Sequence, residues 1–364
     1  MKIAFLGDLA FFGKFSLQNN DSLYDYFKDI SLYLAKFDLV VGNLETPFVT
    51  KAKSYGAKSA FIKSEPINVD LLKYLNINIV TIANNHTFDF GIEGFKETLQ
   101  ILSSNNIKYF GNEDNPLVIE KNGECIRFQG YCCYSSNPLG IKGKFDDIGI
   151  NKLSYNSIEK FIKAGKDNEL NIAAIHCGQE HINYPNYDHV KLSRQLSEVG
   201  PYVYYGHHPH VAQGVEKLND SLIAHSLGNF CFDDVYTPKS DKPLIKLSEN
   251  NKESFILEIE TENSMLMSHK TTSIYMGENR MHINDEKTSS IDEKLLVYSD
   301  YLKKSEDIFT KERSELLGQY IKERKDLRNF KWYLKRLNLN SFFQLRNAYQ
   351  NNKKYVKYVR NFLR

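Results

Sequence analysis

The sequence predicts an α/β fold over about its first 235 residues, followed by an antiparallel strand pair and a helical C-terminal region. Three observations lead to this prediction. Short apolar runs alternate with amphipathic stretches, polar residues follow most of these runs, and glycine and proline nearly vanish beyond about residue 284. Strands that alternate with helices of roughly ten to fifteen residues are typical of mixed or largely parallel sheets covered by helices.

The predicted strands are short and apolar. In chain order they are "KIAFLG" (2–7), "DLVVGN" (38–43), "NIVTIA" (78–83), "KYFGN" (108–112), "CIRFQGYCCY" (125–134), "NIAAIHCG" (171–178), "YVYYGH" (202–207) and "SLIAHSLGNF" (221–230). The predicted helices carry apolar residues at helical spacing. They are "SLYDYFKDISLYLAKF" (22–37), "VDLLKYLNI" (69–77), "GIEGFKETLQILSSNNI" (91–107) and "HVKLSRQLSEVG" (189–200). The runs "ESFILEIE" (253–260) and "HKTTSIYM" (269–276) predict the antiparallel pair, and the polar stretch 237–253 predicts a loop.

Length and composition indicate a large globular protein. The chain has 364 residues, of which 41% are hydrophobic and 25% charged, as in ordinary globular domains. No apolar run approaches the roughly 20 residues that cross a bilayer. Asp8 interrupts the N-terminal apolar stretch and no cleavage motif follows, so we expect a first strand there rather than a signal peptide. The five cysteines have no regular spacing, which favours reduced thiols and a cytoplasmic protein.

Charge is unevenly distributed along the chain. Residues 321–364 hold thirteen Lys or Arg against two acids, a net charge of +11, whereas the first 320 residues sum to −9. An acidic body with a basic tail suggests two parts with different partners. The change in composition beyond about residue 284 predicts a boundary there, with an α/β domain at 1–285 and a basic helical region at 286–364.

The tail interleaves aromatic with basic residues. On a helix, Phe330, Tyr333, Leu334 and Leu337 would share one face, with Lys and Arg around it. Such a segment either lies peripherally on an anionic membrane surface or docks on the acidic body as a helical subdomain. Nucleic-acid binding is disfavoured, because nothing in the first 320 residues supports it.

Polar side chains follow nearly every predicted strand. In chain order they are Asp8, Asn43, Glu45, Asn84, Asn85, His86, His176, His207, His208, His210 and Asn229. In an open α/β sheet, ligands bind just beyond the carboxyl ends of the strands. Carboxylate, carboxamide and imidazole groups suit divalent ions such as Mn, Fe or Zn. The sequence therefore predicts a metal site at this edge.

The run "GHHPH" (206–210) is the strongest single signal. His208 and His210 lie two apart on a stretch fixed by Pro209, so both can turn toward one point or bind neighbouring metals. Each other signal alone is weak, since Asp8 is also compatible with a helix N-cap and "ANNH" with a turn. A surface histidine cluster is the alternative interpretation of the run.

Six motifs in order resemble the poly-γ-glutamate capsule-synthesis (CapA-like) family of the calcineurin-like metallophosphatase superfamily. They are "GD" (7–8), "GNLETP" (42–47), "ANNHTFDFGIEGFKETL" (83–99), "HCGQEH" (176–181), "GHHPHVAQGVE" (206–216) and "HSLGNFCFDD" (225–234). The resemblance covers roughly residues 1–235. It implies a four-layer α/β/β/α sandwich with a two-metal site at one edge, followed here by a C-terminal helical extension.

The resemblance also implies roles for individual residues. The implied metal ligands are Asp8, Glu45 in place of the bridging carboxylate, Asn85, His176, His208 and His210. His86 and Asp8 are the candidate catalytic residues, His86 by contacting substrate or a leaving oxygen. The candidate substrate-binding residues are His207, Asn84, Glu180 and Asn229.

Two departures from the family pattern bear on function. Ala10 stands where the superfamily often has a histidine, and no membrane anchor of the kind usual in capsule-linked members precedes the first strand. We expect a metal-dependent hydrolase acting on a phosphorylated small substrate or an anionic polymer. The alternative is a non-catalytic binding or assembly factor. Tyr184 and Tyr187 are further candidates for contact with a sugar face.

Overall fold

The computed structural model describes residues 1–51, 53–54, 60–112, 114–133, 149–237, 240–326 and isolated residues between 334 and 353. Its strands, in chain order, are β1 (Lys2–Leu9), β2 (Leu39–Leu44), β3 (Ile79–Thr81), β4 (Lys108–Phe110), β5 (Leu117–Lys121), β6 (Glu124–Cys132), β7 (Glu169–His176), β8 (Tyr202–His207), β9 (Val215–Leu218), β10 (Ser221–Ala224), β11 (Asn229–Cys231), β12 (Val235–Thr237), β13 (Ser240–Ile245), β14 (Glu253–Glu262), β15 (Met265–Met276) and β16 (Met281–Ile283). Its α-helices are α1 (Leu23–Tyr26), α2 (Lys28–Leu34), α3 (Val69–Tyr74), α4 (Gly91–Ser104), α5 (Tyr155–Lys163), α6 (Tyr187–Ser197), α7 (Glu249–Lys252), α8 (Glu286–Tyr301) and α9 (Glu306–Asp326).

Two sheets form the centre of the molecule. The first runs in the order β16-β15-β14-β1-β2-β3-β4, with β11 also paired to β1, and the second in the order β5-β6-β7-β8-β10-β9. In the first sheet β1 to β4 are mutually parallel, and in the second β6, β7, β8 and β10 are. Because each parallel set directs its carboxyl ends to one edge, the residues after these strands gather there.

Apolar residues on the facing sides of the two sheets form the inner core. Phe5 of β1 and Tyr205 of β8 meet across the interface, with ring centroids 5.0 Å apart. The outer face of the first sheet packs against α1 to α4, and that of the second against α5 and α6. The molecule is therefore a four-layer α/β/β/α sandwich, and the predicted fold class is confirmed.

Burial explains the apolar runs. β7 and β8 lie inside the second sheet with both faces covered, so nearly every side chain in "ELNIAAIH" and "YVYYGH" is buried. Strands buried on both faces are near-continuous apolar runs rather than alternating ones. The predicted pair at 253–260 and 269–276 is present as the antiparallel β14 and β15.

The prediction of a loop at 237–253 was wrong. The chain forms the antiparallel pair β12–β13 and then the short helix α7. Val235 and Ile245 join Ile62 and Phe232 in a small apolar cluster. The hairpin buries few of its side chains, which explains why its sequence is polar.

The C-terminal region begins as a helix that packs on the body. α8 starts at Glu286, and the Asp285 carboxylate caps it by accepting a hydrogen bond from the Lys287 N–H. Leu295 reaches the core between the sheets, and Phe309 of α9 is fully buried. A division of the chain at residue 285 stays a prediction.

Further along the tail, the described apolar side chains are exposed. They include Leu334, Leu337, Leu339, Phe342, Phe343, Leu345 and Tyr349. Phe330 and Tyr333, which the sequence places on the same helical face, lie outside the described residues. Among the described helices, none combines the length and apolar character needed to cross a membrane.

Candidate metal centre

Side chains from both sheets converge at one edge of the sandwich. Asp8 ends β1, Glu45 follows β2, Asn85 follows β3, and His176 ends β7. Residues 207–210, at the end of β8, complete the site. Asp8 and Glu45 have no exposed surface, and His176 has 1%. Residues separated by up to two hundred positions in sequence thus share one buried site.

Glu45 lies between two histidines. Its Oε1 is 3.6 Å from Nε2 of His210 and 3.9 Å from Nε2 of His176. Glu45, His208 and His210 each offer a ligand atom, and these atoms all lie within 4.8 Å of one another. A carboxylate in this position can contact two neighbouring ions, as expected for the bridging role.

One half of the site is centred on His176. Its Nε2 lies 3.1 Å from Nδ1 of His208 and 3.1 Å from Oδ1 of Asn85. On its other edge, Nδ1 of His176 lies 3.4 Å from the Asn43 carboxamide nitrogen. Two imidazoles, a carboxamide oxygen and the Glu45 carboxylate therefore surround one point.

The other half is centred on Asp8. Its Oδ2 lies 3.3 Å from Nδ1 of His210, and its Oδ1 lies 3.0 Å from Nδ1 of His207. Asn43 donates a 2.8 Å hydrogen bond to the same Oδ1. His210 is fixed further by Asn229, whose Oδ1 is 2.9 Å from Nδ1 of the imidazole.

The donor set fits divalent cations. Ligands bound at about 2.0–2.2 Å to one ion lie roughly 3 to 3.5 Å from each other, which is close to the separations around His176 and Asp8. The carboxylate of Asp8 is fully buried against two imidazoles, with its Oδ2 3.3 Å from Nδ1 of His210. Buried charges of this kind are costly unless they are paired or bind metal. All the donors are oxygen or nitrogen, which suits Mn, Fe or Zn.

The pKa values reflect this crowding. Burial raises the pKa of Asp8, but hydrogen bonds and charge from His207 and His210 outweigh it and hold the pKa well below the usual value. Burial lowers the pKa of His210, yet Glu45 and Asp8 raise it to about 10. Burial lowers the pKa of His208 to about 4 and that of His176 well below its usual value. His176 and His208 are therefore neutral imidazoles, the form that binds metal.

The backbone of "GHHPH" is unusual. His208 has φ of 95° and His210 has φ of 57°, in the left-handed region that few residues other than glycine adopt. Strained backbone of this kind is concentrated at functional sites. Gly206 permits the approach of the next strand, because a Cβ there would lie 2.0 Å from the carbonyl oxygen of His225.

His86 lies beside the cluster and is oriented by Asp89. Its Nδ1 is 2.7 Å from Oδ2 of Asp89, a carboxylate oxygen that also accepts a 3.0 Å hydrogen bond from the Ile62 N–H. Because Nδ1 faces Asp89, Nε2 lies on the edge of the ring that faces away from this carboxylate. His86 lines a cavity of about 30 Å³ together with Glu180, His181 and His210.

The four candidate substrate-binding residues are not all at this cavity. Glu180 lines it. His207, Asn84 and Asn229 lie behind the ligands and are fully or almost fully buried. His207 contacts Asp8, Asn229 holds His210, and the Asn84 carboxamide donates to the Leu44 carbonyl at 2.8 Å. These three residues therefore hold candidate ligands and the end of β2, and substrate contact by them stays a prediction.

Tyr184 and Tyr187 also differ from the expectation of sugar contact. Tyr184 packs on Tyr301 of α8 with a centroid distance of 3.8 Å, and Tyr187 packs on Phe309 of α9 at 5.1 Å. Their rings therefore pack against residues of the C-terminal helices α8 and α9.

Sequence reasoning missed two groups that shape the site. Asp89 follows His86 by three residues, a spacing that brings the two together only because the chain turns there. Asn251 donates to the His210 carbonyl at 2.8 Å and lies 2.9 Å from Nδ1 of His181. Asn251 falls in the stretch assigned to a loop, where no pattern distinguishes it.

Comparisons with known proteins bear on the whole N-terminal part. The family model "Bacterial capsule synthesis protein PGA_cap" matches residues 2–234. The chain is 31% identical over 236 residues to the PGA biosynthesis protein CapA of Bacillus subtilis (strain 168), covering 62% of this chain and 60% of that protein. It is 26% identical over 271 residues to the capsule biosynthesis protein CapA of Bacillus anthracis, covering 71% and 66%. The chain thus spans less than two thirds of the length of these relatives.

A putative 5′-nucleotidase from Staphylococcus aureus has a similar structure, with 11% identity and a TM-score of 0.42, over 82% of this chain and 58% of that one.

Proposed function

Because the chain belongs to the bacterial capsule synthesis protein PGA_cap family, we propose that it is a metal-dependent hydrolase of the phosphoesterase type that acts in capsule or surface-polymer biosynthesis. The observation that carries the proposal is the convergence of Asp8, Glu45, His176, His208 and His210 on one buried edge. Hydrolysis of a phosphate ester is the reaction that a pair of neighbouring divalent ions at such an edge serves best.

Two cations, Mn, Fe or Zn, would be held by these groups. His176, His208 and Asn85 would hold one, Asp8 and His210 the other, and Glu45 both. Bound there, the cations would lower the pKa of a water and polarise a phosphoryl oxygen. Neutral imidazoles at His176 and His208 are ready to bind without first losing a proton.

His86 would supply the proton for the leaving oxygen. Asp89 fixes its Nδ1, so Nε2 is the nitrogen directed away from this carboxylate and would act as the donor. A carboxylate in this position also stabilises the protonated imidazole. His86 and Asp89 would therefore act as donor and orienting group.

Two cavities support a position for the substrate. The cavity beside His86 and His210, at about 30 Å³, has room for about two waters, so it can take little more than the reacting group. A second cavity of about 500 Å³ shares Ile62 and Val235 with it and includes Lys14 and Lys63. The rest of the substrate would lie in this larger cavity.

The first test is elemental analysis of protein purified without chelator, followed by turnover of p-nitrophenyl phosphate and bis(p-nitrophenyl) phosphate with added Mn²⁺. We expect up to two divalent ions per chain and metal-dependent turnover. His210→Ala should lose bound metal and the metal-dependent turnover. His269→Gln, at an exposed position of β15, is the matched control and should retain the bound metal and the turnover. Absence of metal and of turnover in the wild-type protein would count decisively against the proposal.

A non-catalytic binding or assembly factor is the second candidate. Ala10 favours it, because this fully buried residue has no side-chain group that binds a metal. Its backbone N–H donates to the Cys231 carbonyl, and its carbonyl accepts from the Phe12 N–H. One ion would thus have a ligand fewer. Bound metal without turnover, together with retention of an anionic polymer, would favour this candidate over the hydrolase.

We also infer a cytoplasmic location with peripheral contact to an anionic membrane through residues 321–364. The net charge of +11 in this segment and the exposed Leu337, Leu339 and Phe342 support the inference. Full-length protein should co-sediment with vesicles containing anionic lipid, and less so as salt rises. Equal sedimentation with neutral vesicles, or none with either, would contradict it.

A further inference from the structure

The rim of the site is formed by the segment between β7 and α6. This segment carries Glu180 and His181, which line the cavity beside His86 and His210. On its inner side it is fixed to the histidine run, because the His181 N–H donates to the Pro209 carbonyl at 2.8 Å.

The C-terminal helices hold the outer side of the same segment. The Tyr184 ring packs against that of Tyr301, with a centroid distance of 3.8 Å. Arg313 of α9 donates to the Tyr184 carbonyl at 3.1 Å and to the Asn186 side chain. The guanidinium therefore ties the segment both at its backbone and at the residue before α6.

Further along α9, Tyr320 reaches His181 itself. The two ring centroids are 5.7 Å apart, within the range of favourable aromatic contacts. Phe309, Arg313 and Tyr320 are spaced by four and seven residues, so they share one face of the helix. Ile308 and Ile321 lie off this face and are 49% and 44% exposed.

His181 in turn is linked to a candidate ligand. Asn251 lies 2.9 Å from its Nδ1 and donates to the carbonyl of His210. A displacement of the His181 ring would therefore disturb the hydrogen bonds around His210 as well as the cavity wall.

We propose that α9 is a positioning element of this site and that Tyr320 is its positioning residue, which holds His181 and the rim at the cavity. Neither α9 nor any part of the C-terminal extension falls within the family-matched residues 2–234. Substrate binding by this chain thus depends on a helix outside the shared domain. The kinetic part of the proposal rests on the proposed hydrolase function, whereas the contact between Tyr320 and His181 does not.

The test compares three variants in full-length protein. Tyr320→Ala removes the ring, Tyr320→Phe keeps it, and Ile321→Ala is the control on the exposed side of the same helix. Two quantities are measured: the NMR signal of the His181 ring in protein with ¹³C-labelled histidine, assigned with His181→Gln, and KM and kcat for bis(p-nitrophenyl) phosphate with Mn²⁺.

We expect Tyr320→Ala to shift the His181 signal and to raise KM about two- to tenfold, as loss of one aromatic contact implies, with kcat and metal content near wild type. Tyr320→Phe and Ile321→Ala should match the wild-type protein in both measurements. An unchanged His181 signal in Tyr320→Ala, or an equal KM effect in Ile321→Ala, would overturn the proposal.

The outcomes separate the two proposals. If the wild-type protein turns over no ester, the hydrolase function fails, and the NMR signal alone decides whether α9 positions His181. If turnover is present but the signal and KM do not respond to Tyr320→Ala, the hydrolase stands and α9 is only a packing element.

Discussion

His189 should make the protein sensitive to mild acid. This residue of α6 is 4% exposed, and its Nδ1 lies 3.4 Å from the Cys177 sulfur. Burial, reinforced by the nearby His225 and Arg313, lowers the pKa of His189 from 6.5 to about 3. The folded protein therefore keeps this imidazole neutral at a pH where the unfolded chain protonates it.

The sign and size of the effect follow from linkage. Since the pKa is lower in the folded state, the stabilising contribution is complete above about pH 6.5 and is lost as the pH falls toward 3. Between pH 7.5 and pH 5 the loss amounts to about 2 kcal/mol of unfolding free energy.

Urea denaturation at the two pH values measures this loss. We compare the wild-type protein with His189→Gln, which cannot titrate at this position. Other groups titrate equally in the two proteins, so the difference between the pH-dependent losses isolates His189. His189→Gln should lose about 2 kcal/mol less than the wild-type protein. Equal losses in both proteins would refute the reasoning.

Three further predictions concern packing and orientation. Gly206→Ala places a Cβ 2.0 Å from the His225 carbonyl oxygen and should lower the free energy of unfolding, measured by thermal denaturation, by about 3 kcal/mol. Gly318→Ala, where a Cβ would meet nothing within 4 Å, should leave this free energy unchanged or raise it. Asp89→Asn should lower kcat for ester hydrolysis about tenfold or more at unchanged metal content, because it removes the charge that supports the His86 proton donor; an unchanged kcat would exclude that role. Phe309→Ala, at a fully buried position, should lower the free energy of unfolding by about 3 kcal/mol and speed tryptic cleavage within α9. Cleavage at the wild-type rate would contradict the packing of α9 on the body.

The main elements and ligands could be predicted because their signals are local. Asp8, Glu45 and His176 directly follow apolar runs, and parallel strands bring such positions together whatever the details of packing. The four layers followed from the family resemblance, since alternation of strands and helices alone does not fix how many sheets form.

The remainder depended on contacts that leave no local pattern. Tyr320 meets His181 across well over a hundred residues of sequence, and its own helix is polar on most sides. In the hairpin of β12 and β13, Val235 is buried and Ile245 is partly buried against the same apolar cluster, a pair of contacts that the polar sequence of this stretch does not reveal. The sequence assigns His207 to substrate binding and His208 to metal binding, but no local pattern shows that Nδ1 of His207 lies 3.0 Å from Asp8.

The position of β14 has a consequence for how the chain folds. β1 lies between β2 and β14, and the backbone of Met1 pairs with that of Thr261 at 2.7 and 2.8 Å. β1 therefore gains its neighbour β14 only when residues 253–262 emerge, beyond the end of the family-matched part. Pairings so distant in sequence slow folding, and until then the edge of β1 that β14 covers stays open to other chains, apart from the Asp8 and Leu9 positions that pair with β11. During synthesis this protein should depend on chaperones more than a sandwich assembled from adjacent strands.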